Sequence, residues 1–208
     1  MPKVYNGDLT KMFDISGKKA MIFGGAGGFG EAIAAAYAAN GCSVCISSRS
    51  EEKLKAAAAK IEAAAAPGVK VMYLAGDAGD EEFVKKCVEV VTGPEGLGGC
   101  DILVNAQGIN KKMWSHEIDT EFFEKMLHTN ITSLMLTCKY FGNWMKNNNL
   151  DGDEKVEVVA GQPNTNKGYG KIINFGSVRG IRAVANGGGG NVPYNTTKGA
   201  VEMLTKAF

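Results

Sequence analysis

The chain has 208 residues, of which 45% are hydrophobic and 22% are charged, so it can bury a substantial core and does not have a disordered protein's composition. Its net charge is +1 and its Lys and Arg residues form no dense run, which argues against nucleic acids or acidic membranes as partners. The N-terminal stretch has no signal-peptide pattern and no apolar run reaches eighteen residues, so we predict a soluble, cytoplasmic protein.

Short apolar segments alternate with longer helical patterns along the chain. In chain order, the predicted strands are KKAMIF, SVCIS, VKVMYL, DILVN and KIINF, and the predicted helices cover residues 29–40, 51–65, 81–91, about 120–146, and 193 onward. Strands that are apolar along their whole length suit a parallel sheet covered by helices on both faces. The sequence therefore predicts one doubly wound α/β domain over residues 1–208, a Rossmann-like fold with three αβα layers.

Two polar stretches and one unusually apolar helix interrupt this regularity. Residues 147–170 form a polar insertion before the fifth strand, and residues 185–191 form a glycine-rich loop. The helix over residues 120–146 has more large apolar side chains than one buried stripe can hold, namely Phe122, Met126, Leu134, Met135, Phe141 and Trp144. We expect a second copy of the chain to cover the extra face, in a homodimer or homotetramer; the alternative is a helix enclosed by one large core.

A glycine-rich turn, FGGAGGFG, joins the first strand to the first helix. Gly25, Gly27 and Gly30 satisfy the spacing GxGxxG, while Gly24, Gly28 and Gly30 satisfy GxxxGxG. Both spacings permit a tight turn and a close approach of the backbone and a helix N-terminus to a pyrophosphate. The turn predicts a dinucleotide site contacted by Gly24, Gly28, Phe29 and Gly30.

Residues at the ends of the second and third strands indicate which dinucleotide the site would bind. Dinucleotide-binding folds usually place an acid at the end of the second strand to bind the ribose 2′-hydroxyl. Here Ser48 and Arg49 stand at that point, and a guanidinium suits a 2′-phosphate, so we predict NADP(H) in preference to NAD(H). The alternative for Arg49 is a surface arginine that caps a loop. Asp77, at the end of the third strand, is expected to accept from the adenine amino group or, alternatively, to cap the next turn.

The cysteines and histidines predict neither a disulfide framework nor a metal site. The five cysteines are an odd number scattered along the chain, and buried reduced thiols are the expected state. Cys42 and Cys45 have CxxC spacing, but they lie in a strand, where nearby side chains point to opposite faces. His116 and His128 have no second ligand at metal-binding spacing.

A tyrosine and a lysine stand one helical turn apart in VPYNTTKGA, at Tyr194 and Lys198. Reduction of a carbonyl needs a proton donor beside the oxygen, and the reverse oxidation needs a base there. An isolated tyrosine holds its proton up to about pH 10, so it is a poor base near neutrality. The Lys198 ammonium on the same helix face would favour the tyrosinate form, which suits Tyr194 for general acid/base chemistry.

Three further motifs lie between the glycine turn and the Tyr194–Lys198 pair: NAQG (Asn105 to Gly108), Asn130 and Ser177. This ordered set resembles the motifs of the short-chain dehydrogenase/reductase family, in its single-domain branch. The resemblance implies an NAD(P)-dependent enzyme that interconverts a secondary alcohol and a ketone or aldehyde. It further implies that Lys198 binds the nicotinamide ribose, that Ser177 hydrogen-bonds the substrate oxygen and that Asn130 holds a water in the proton relay. Asn105 and Gly108 are implied to lie at the cofactor.

The chain departs from the family pattern at three places. Phe23 stands where the family usually has threonine, and Ala106 and Gln107 replace Asn and Ala in the family's Asn-Asn-Ala-Gly. The family's sixth strand, substrate-covering segment and seventh strand do not follow Lys198. We therefore expect an open sheet edge, a pocket that lacks one wall, and impaired turnover by residues 1–208 compared with a complete enzyme.

The substrate and two rival functions stay open at the sequence level. Lys111, Lys112, Arg179 and Arg182 would form a cationic rim, which favours an anionic or polyhydroxylated substrate; solvated surface charge is the alternative. One rival function is a catalytically silent nucleotide-binding or regulatory protein. The other is a sugar-nucleotide epimerase or dehydratase, which would need a different glycine spacing and more chain after Lys198.

Overall fold

The computed structural model describes residues 13–148, 170–183 and 191–208. The predicted polar insertion falls almost entirely in residues 149–169, and the predicted glycine-rich loop falls almost entirely in residues 184–190. Both predictions therefore lie outside the described residues.

Five parallel strands form one sheet, and every strand predicted from the sequence is present. The strands are β1 (Lys19–Phe23), β2 (Ser43–Ser48), β3 (Val71–Ala75), β4 (Ile102–Asn105) and β5 (Lys171–Asn174), in the spatial order β3-β2-β1-β4-β5. The helices are α1 (Gly28–Ala39), α2 (Glu51–Ala64), α3 (Glu81–Thr92), α4 (Thr120–Leu127), α5 (Ser133–Asn148) and α6 (Val192–Ala207). The predicted doubly wound α/β fold is confirmed.

Strand β1 lies at the centre of the sheet because its side chains are apolar on both faces. Ala20 and Ile22 belong to a core shared with α1 and α2, while Met21 and Phe23 belong to a core shared with α3 and α5. Alternate residues of a strand point to opposite faces of the sheet, so a continuous apolar run is buried on both faces. The chain leaves β1 for β2 and β3 on one side and returns to β4 on the other. This change of direction opens a crevice at the carboxyl ends of β1 and β4.

The helix predicted over residues 120–146 is interrupted. Helix α4 ends at Leu127, residues His128–Thr132 form a π-helical turn, and α5 begins at Ser133. The sequence pattern did not indicate this wider turn, and π turns are frequent at functional sites. Its residue Asn130 is buried and makes long-range hydrogen bonds, as described below.

Much of the apolar surface of that helical region is covered within the chain. Met126, Leu134 and Phe141 are buried, whereas Met135 is exposed. Phe141 packs in the core beneath the sheet, and Leu134 packs with Val201 of α6. Enclosure within one chain therefore accounts for most of these side chains, and the homo-oligomer stays a prediction.

In the sheet formed by the described residues, strand β5 is an edge strand and Ile173 on it is exposed. All five cysteines are buried thiols, as predicted. Cys42 and Cys45 belong to the cores on opposite faces of the sheet. Among the described helices, none has the length and apolar character required to cross a membrane.

Candidate active site

A cleft of about 250 Å³ lies at the carboxyl ends of β1 to β4, at the point where the strand order reverses. Its walls are Phe23, Gly24, Gly27, Ser47, Ser48, Arg49, Gly76, Asp77, Ala78, Ala106, Gln107, Gly108, Thr129 and Ser133. Open α/β sheets bind ligands in this crevice. The fold thus brings the predicted glycine turn, the end of β2, Asp77 and NAQG to one place.

The glycine turn is held tightly against the end of β4. Gly24 has φ of 77°, and a Cβ on it would lie 2.6 Å from the Gln107 nitrogen. A Cβ on Gly30 would lie 2.3 Å from the Gly24 oxygen. Side chains at either position would push the turn out of place, whereas a Cβ on Gly27 would meet nothing within 4 Å. The turn therefore has open space on its cleft side for a ligand.

Helix α1 begins at Gly28, and no side chain in the described part of the chain caps its N-terminus. Its first backbone N–H groups, together with the positive end of the helix dipole, form a site for an anion such as a pyrophosphate. The predicted cofactor contacts Gly28, Phe29 and Gly30 lie in the first turn of this helix.

Three buried side-chain oxygens around the cleft have no hydrogen-bond partner among the described residues: Ser47 Oγ, Ser48 Oγ and Gln107 Oε1. Nearly all buried polar atoms in proteins are paired, so unpaired atoms around one cleft indicate where a polar ligand would complete the structure. The residues present therefore fit a dinucleotide.

Arg49 and Asp77 stand at the rim of this cleft. Arg49 is exposed, and its guanidinium makes no ion pair within the described part of the chain. Asp77 Oδ1 accepts a 2.9 Å hydrogen bond from the Gly79 nitrogen, as in the turn-capping alternative. Its Oδ2 lies 3.7 Å from His128 Nε2. Asp77 thus stabilises a turn while it also lines the cleft.

Asn105 supports the cleft from within the core. Its Nδ2 donates to Asn174 Oδ1 over 2.9 Å, and its Oδ1 accepts from Thr137 Oγ1 over 2.8 Å. Its carbonyl oxygen accepts from the Phe175 nitrogen. These bonds join β4 to β5 and α5, so the neighbours Ala106, Gln107 and Gly108 face the cleft while the Asn105 side chain faces inward.

The tyrosine and lysine lie on one face of α6, as their spacing predicts. Lys198 Nζ lies 5.6 Å from the centre of the Tyr194 ring and donates a hydrogen bond to the Phe175 carbonyl. The Lys198 residue is only 6% exposed. This burial lowers the pKa of Lys198, because desolvation disfavours the charged ammonium.

Asn130 links this helix to the exit of β4. Its Oδ1 accepts from the Ile109 nitrogen over 2.8 Å, and its Nδ2 donates to the Ile109 oxygen over 3.0 Å. The same Nδ2 donates to Thr197 Oγ1 over 3.1 Å. Thr197 stands next to Lys198, so one buried amide fixes the α6 helix relative to the strand that follows the cleft wall.

Ser177 opens a short 3₁₀ turn, Val178–Gly180, which packs directly on α6. Its Oγ accepts from the Arg179 nitrogen over 3.2 Å, so the hydroxyl hydrogen is not used by that bond. A Cβ on Gly180 would lie 2.5 Å from the Lys198 carbonyl oxygen. Backbone therefore packs on backbone here, and the Ser177 segment reaches the helix that carries Tyr194.

Phe175 connects the two halves of the site. Its carbonyl accepts from Lys198, and its ring lies 5.6 Å from the ring of Phe29 in the glycine turn. Phe29 is 74% exposed. Phe23, where the family usually has threonine, is buried and packs edge-on against Phe141.

The predicted cationic rim is only partly free. Lys111 Nζ lies 5.3 Å from the centre of the Phe122 ring, a cation–π distance. Lys112 and Arg182 are exposed and Arg179 is half-buried. Solvent thus reaches Lys112 and Arg182 more than Arg179, and the cationic rim stays a prediction.

The sequence matches the short chain dehydrogenase family over residues 18–208. The chain belongs to this family. The comparison confirms the resemblance drawn from the ordered motifs. Members of the family are NAD(P)-binding oxidoreductases that act on small molecules.

Individual short chain dehydrogenases are similar along most of this chain. Carbonyl reductase family member 4 of Danio rerio is 31% identical over 189 residues, which cover 91% of this chain and 67% of the relative. Gluconate 5-dehydrogenase of Gluconobacter oxydans is 27% identical, with coverage of 95% and 66%. A solved short-chain type dehydrogenase/reductase from Mycobacterium marinum has a TM-score of 0.80 at 30% identity, with coverage of 97% and 71%. The chain spans about two thirds of the length of these curated relatives.

Sequence reasoning missed two supports of this short chain dehydrogenase site. Thr197 accepts a hydrogen bond from Asn130 and is fully buried. In the sequence it is marked only as a polar residue next to Lys198. Gly180 packs on the Lys198 carbonyl, and nothing in the sequence distinguishes it from the other members of a set of 28 glycines. Both depend on contacts between segments far apart in the chain.

Proposed function

We propose that this short chain dehydrogenase is an NADP(H)-dependent oxidoreductase that interconverts a secondary alcohol and a ketone or aldehyde. The observation that carries the proposal is the position of Phe175 between Lys198 and Phe29. Through Phe175, the Tyr194–Lys198 face of α6 is linked to Phe29 in the glycine turn, whose residues Gly24 and Gly27 line the nucleotide cleft. Because the chain spans about two thirds of the relatives' length, turnover is proposed for the complete enzyme.

Tyr194 is the proposed general acid and base. When bound, the nicotinamide supplies or accepts the hydride. Tyr194 donates its hydroxyl proton to the carbonyl oxygen in reduction and receives the alcohol proton in oxidation. The Lys198 ammonium stabilises the tyrosinate formed in reduction, and its lowered pKa makes it a ready donor for restoring the Tyr194 proton.

Ser177 and Asn130 have different proposed parts. Ser177 Oγ already accepts from the Arg179 nitrogen, so its O–H is available to donate to the substrate oxygen. Both amide hydrogens of Asn130 are used, on the Ile109 carbonyl and Thr197. A relay water would therefore have to act as the donor to Asn130, on the remaining lone pair of Oδ1 or on the backbone carbonyl. Asn130 also positions α6, whatever its contact with water.

The NADP(H) preference rests on the end of β2. A 2′-phosphate there would meet the Arg49 guanidinium and the Ser48 hydroxyl, whose oxygen has no partner among the described residues. Asp77 would accept from the adenine amino group through Oδ2. Gly24, Gly28, Phe29 and Gly30 would hold the pyrophosphate and nicotinamide end, with Asn105 and Gly108 as supports of the opposite wall.

An anionic or polyhydroxylated molecule is the proposed substrate class. Arg179 stands two positions after Ser177, in the 3₁₀ turn that Ser177 caps, and we propose that its charge lies close to the substrate oxygen. One relative is named for a polyhydroxylated acid, gluconate. Assembly as a homodimer or homotetramer and a cytoplasmic location complete the proposal, and both rest on the sequence.

Titration of the purified chain with NADPH and NADH, followed by fluorescence, tests the cofactor proposal. NADPH should bind more tightly, and Arg49→Ala should weaken NADPH binding about tenfold, the order of one charge-assisted hydrogen bond, while NADH binding is unchanged. Arg182→Ala, which removes an exposed arginine outside the cleft wall, is the matched control. Equal affinity for both cofactors in the unmodified protein would refute the preference.

The catalytic proposal needs a separate measurement. A chain extended to the length of its relatives should oxidise or reduce members of a panel of polyols and sugar acids, and Tyr194→Phe should abolish turnover while cofactor binding persists. Cofactor binding without turnover across the panel would favour the silent nucleotide-binding alternative.

A further inference from the structure

Gln107 stands where the family pattern has alanine, and it faces the nucleotide cleft from the end of β4. Its carboxamide nitrogen donates to Ser133 Oγ over 3.2 Å. Its carboxamide oxygen is buried and has no hydrogen-bond partner in the described structure. The amide nitrogen is therefore held by a hydrogen bond, whereas the amide oxygen is an acceptor without a donor among the described residues.

The orientation of this amide is fixed by its neighbour. The Ser133 hydroxyl donates to the Thr129 carbonyl over 2.6 Å, so its single hydrogen is in use and its oxygen can only accept from Gln107. If the amide were turned over, two acceptor oxygens would face each other. Gln107 Oε1 is therefore an acceptor in its stable orientation.

The chemistry of the cleft limits what can satisfy this oxygen. Phosphate groups carry acceptors and negative charge, so a pyrophosphate or 2′-phosphate cannot pair with it. Arg49 and Asp77 stand on the facing walls, at the ends of β2 and β3, and these ends are where the adenosine half of a dinucleotide is proposed to lie. That half offers two kinds of donor, the adenine amino group and the ribose hydroxyls.

We propose that Gln107 is an adenosine-recognition residue, whose Oε1 accepts a hydrogen bond from a donor on the adenosine half of the cofactor. The inference rests on the proposed function, because it requires a dinucleotide in the cleft. It assigns a binding role to a substitution that otherwise departs from the family pattern. Ser133 is the positioning residue, because its hydrogen bond to the Gln107 carboxamide orients that group and does not itself involve the ligand.

Binding titrations with two cofactors test the inference. NADPH and the reduced nicotinamide hypoxanthine dinucleotide phosphate, which has a carbonyl in place of the adenine amino group, are titrated into the unmodified chain and into Gln107→Met. Methionine has a similar length and no acceptor of comparable strength. Gln107→Met should weaken NADPH binding about three- to tenfold, the range of one net hydrogen bond. Ser133→Ala keeps the Gln107 carboxamide oxygen but removes the hydrogen bond that orients the amide. This variant should weaken NADPH binding less than Gln107→Met does.

The hypoxanthine cofactor identifies the donor. If the adenine amino group donates, the unmodified chain will bind the hypoxanthine cofactor no more tightly than Gln107→Met does, because the hypoxanthine carbonyl cannot donate to Gln107 Oε1. If a ribose hydroxyl donates, the variant will lose affinity for both cofactors by the same factor. Thermal unfolding of Gln107→Met should match the unmodified chain, and Gln107→Ala repeats the test with a smaller side chain.

Two negative results have different meanings. Unchanged NADPH affinity in Gln107→Met and Gln107→Ala overturns the role of Gln107 and leaves the proposed function intact. A folded, unmodified chain that binds neither NADPH nor NADH overturns the proposed function together with this inference.

Discussion

Asn130 Nδ2 donates a 3.1 Å hydrogen bond to Thr197 Oγ1, which lies 67 positions further along the chain. The same side chain makes two hydrogen bonds to the backbone of Ile109. Thr197 in turn donates to the Tyr194 carbonyl over 2.9 Å. The π turn, the exit of β4 and helix α6 are thus joined at one buried amide, so we expect Asn130 to be needed for the position of Tyr194.

Asn130→Ala should therefore destabilise the protein. It leaves the Ile109 backbone groups without their partner, and each buried unpaired group costs about 1–3 kcal/mol, so we expect a loss of at least about 2 kcal/mol in the free energy of unfolding. Urea unfolding measures the change. Asn143→Ala, at an exposed position of α5, should change the free energy by no more than about 0.5 kcal/mol. Equal effects of the two substitutions would contradict the structural role.

Gly180→Ala should disturb the contact between the Ser177 turn and α6. The added methyl would lie 2.5 Å from the Lys198 carbonyl oxygen, and the backbone must move apart to admit it. We expect a loss of about 1–3 kcal/mol in stability, as for other overpacked sites. In Gly142→Ala the new methyl meets Ile172 at an ordinary 3.4 Å, and a helical alanine is favoured over glycine. A stability as high for Gly180→Ala as for Gly142→Ala would rule out the tight contact.

The lowered pKa of Lys198 predicts a pH dependence of stability with a definite sign. Between the folded-state pKa and the ordinary value of 10.5, the unfolded chain binds the proton that the folded chain has released. Stability therefore increases with pH in this window. We expect the melting temperature of the unmodified protein to rise relative to that of Lys198→Met as pH increases toward 10.5. Lys206→Met controls for the loss of one positive charge from α6; a difference that is constant with pH would contradict the burial effect.

The buried cysteines should resist alkylation in the folded protein. Burial raises the pKa of Cys42, Cys87 and Cys100 to about 12 and that of Cys138 to about 11, and it raises the pKa of Cys45 as well. The thiolate is the reactive form, so at pH 8 iodoacetamide should react at least about a hundredfold more slowly with the folded chain than with the chain in urea. Mass spectrometry of each cysteine peptide gives the rates. A cysteine that reacts equally fast in both states would be exposed in solution.

Arg179→Ala tests the anionic substrate class in the extended enzyme. Removal of the Arg179 guanidinium should raise KM for acidic substrates about tenfold, the order of one charged hydrogen bond, and leave KM for neutral polyols nearly unchanged. Steady-state kinetics on a matched acid and polyol make the comparison, with Lys86→Ala, at an exposed position of α3, as the control. An equal rise for both substrates would remove charge as the basis of selection.

The sequence predicted each strand to within about two residues. The reason is that β1 to β5 are short continuous apolar runs, whereas the segments between most of them have the longer apolar period of a helix. It also predicted the glycine turn and the Tyr194–Lys198 pair, since both are local patterns with fixed spacing. It did not predict the π turn at His128–Thr132. That turn depends on partners for Asn130 that lie 21 and 67 positions away.

Local pattern thus determined the elements, their parallel arrangement and the residues available for chemistry. Only the tertiary structure decided how those residues are supported: that Asn105 faces the core, that Gln107 leaves an unpaired oxygen in the cleft, and that Gly180 lies on the Lys198 backbone. The physical reason is that periodicity and spacing act within one element, whereas burial, desolvation and hydrogen-bond pairing depend on which distant segments meet.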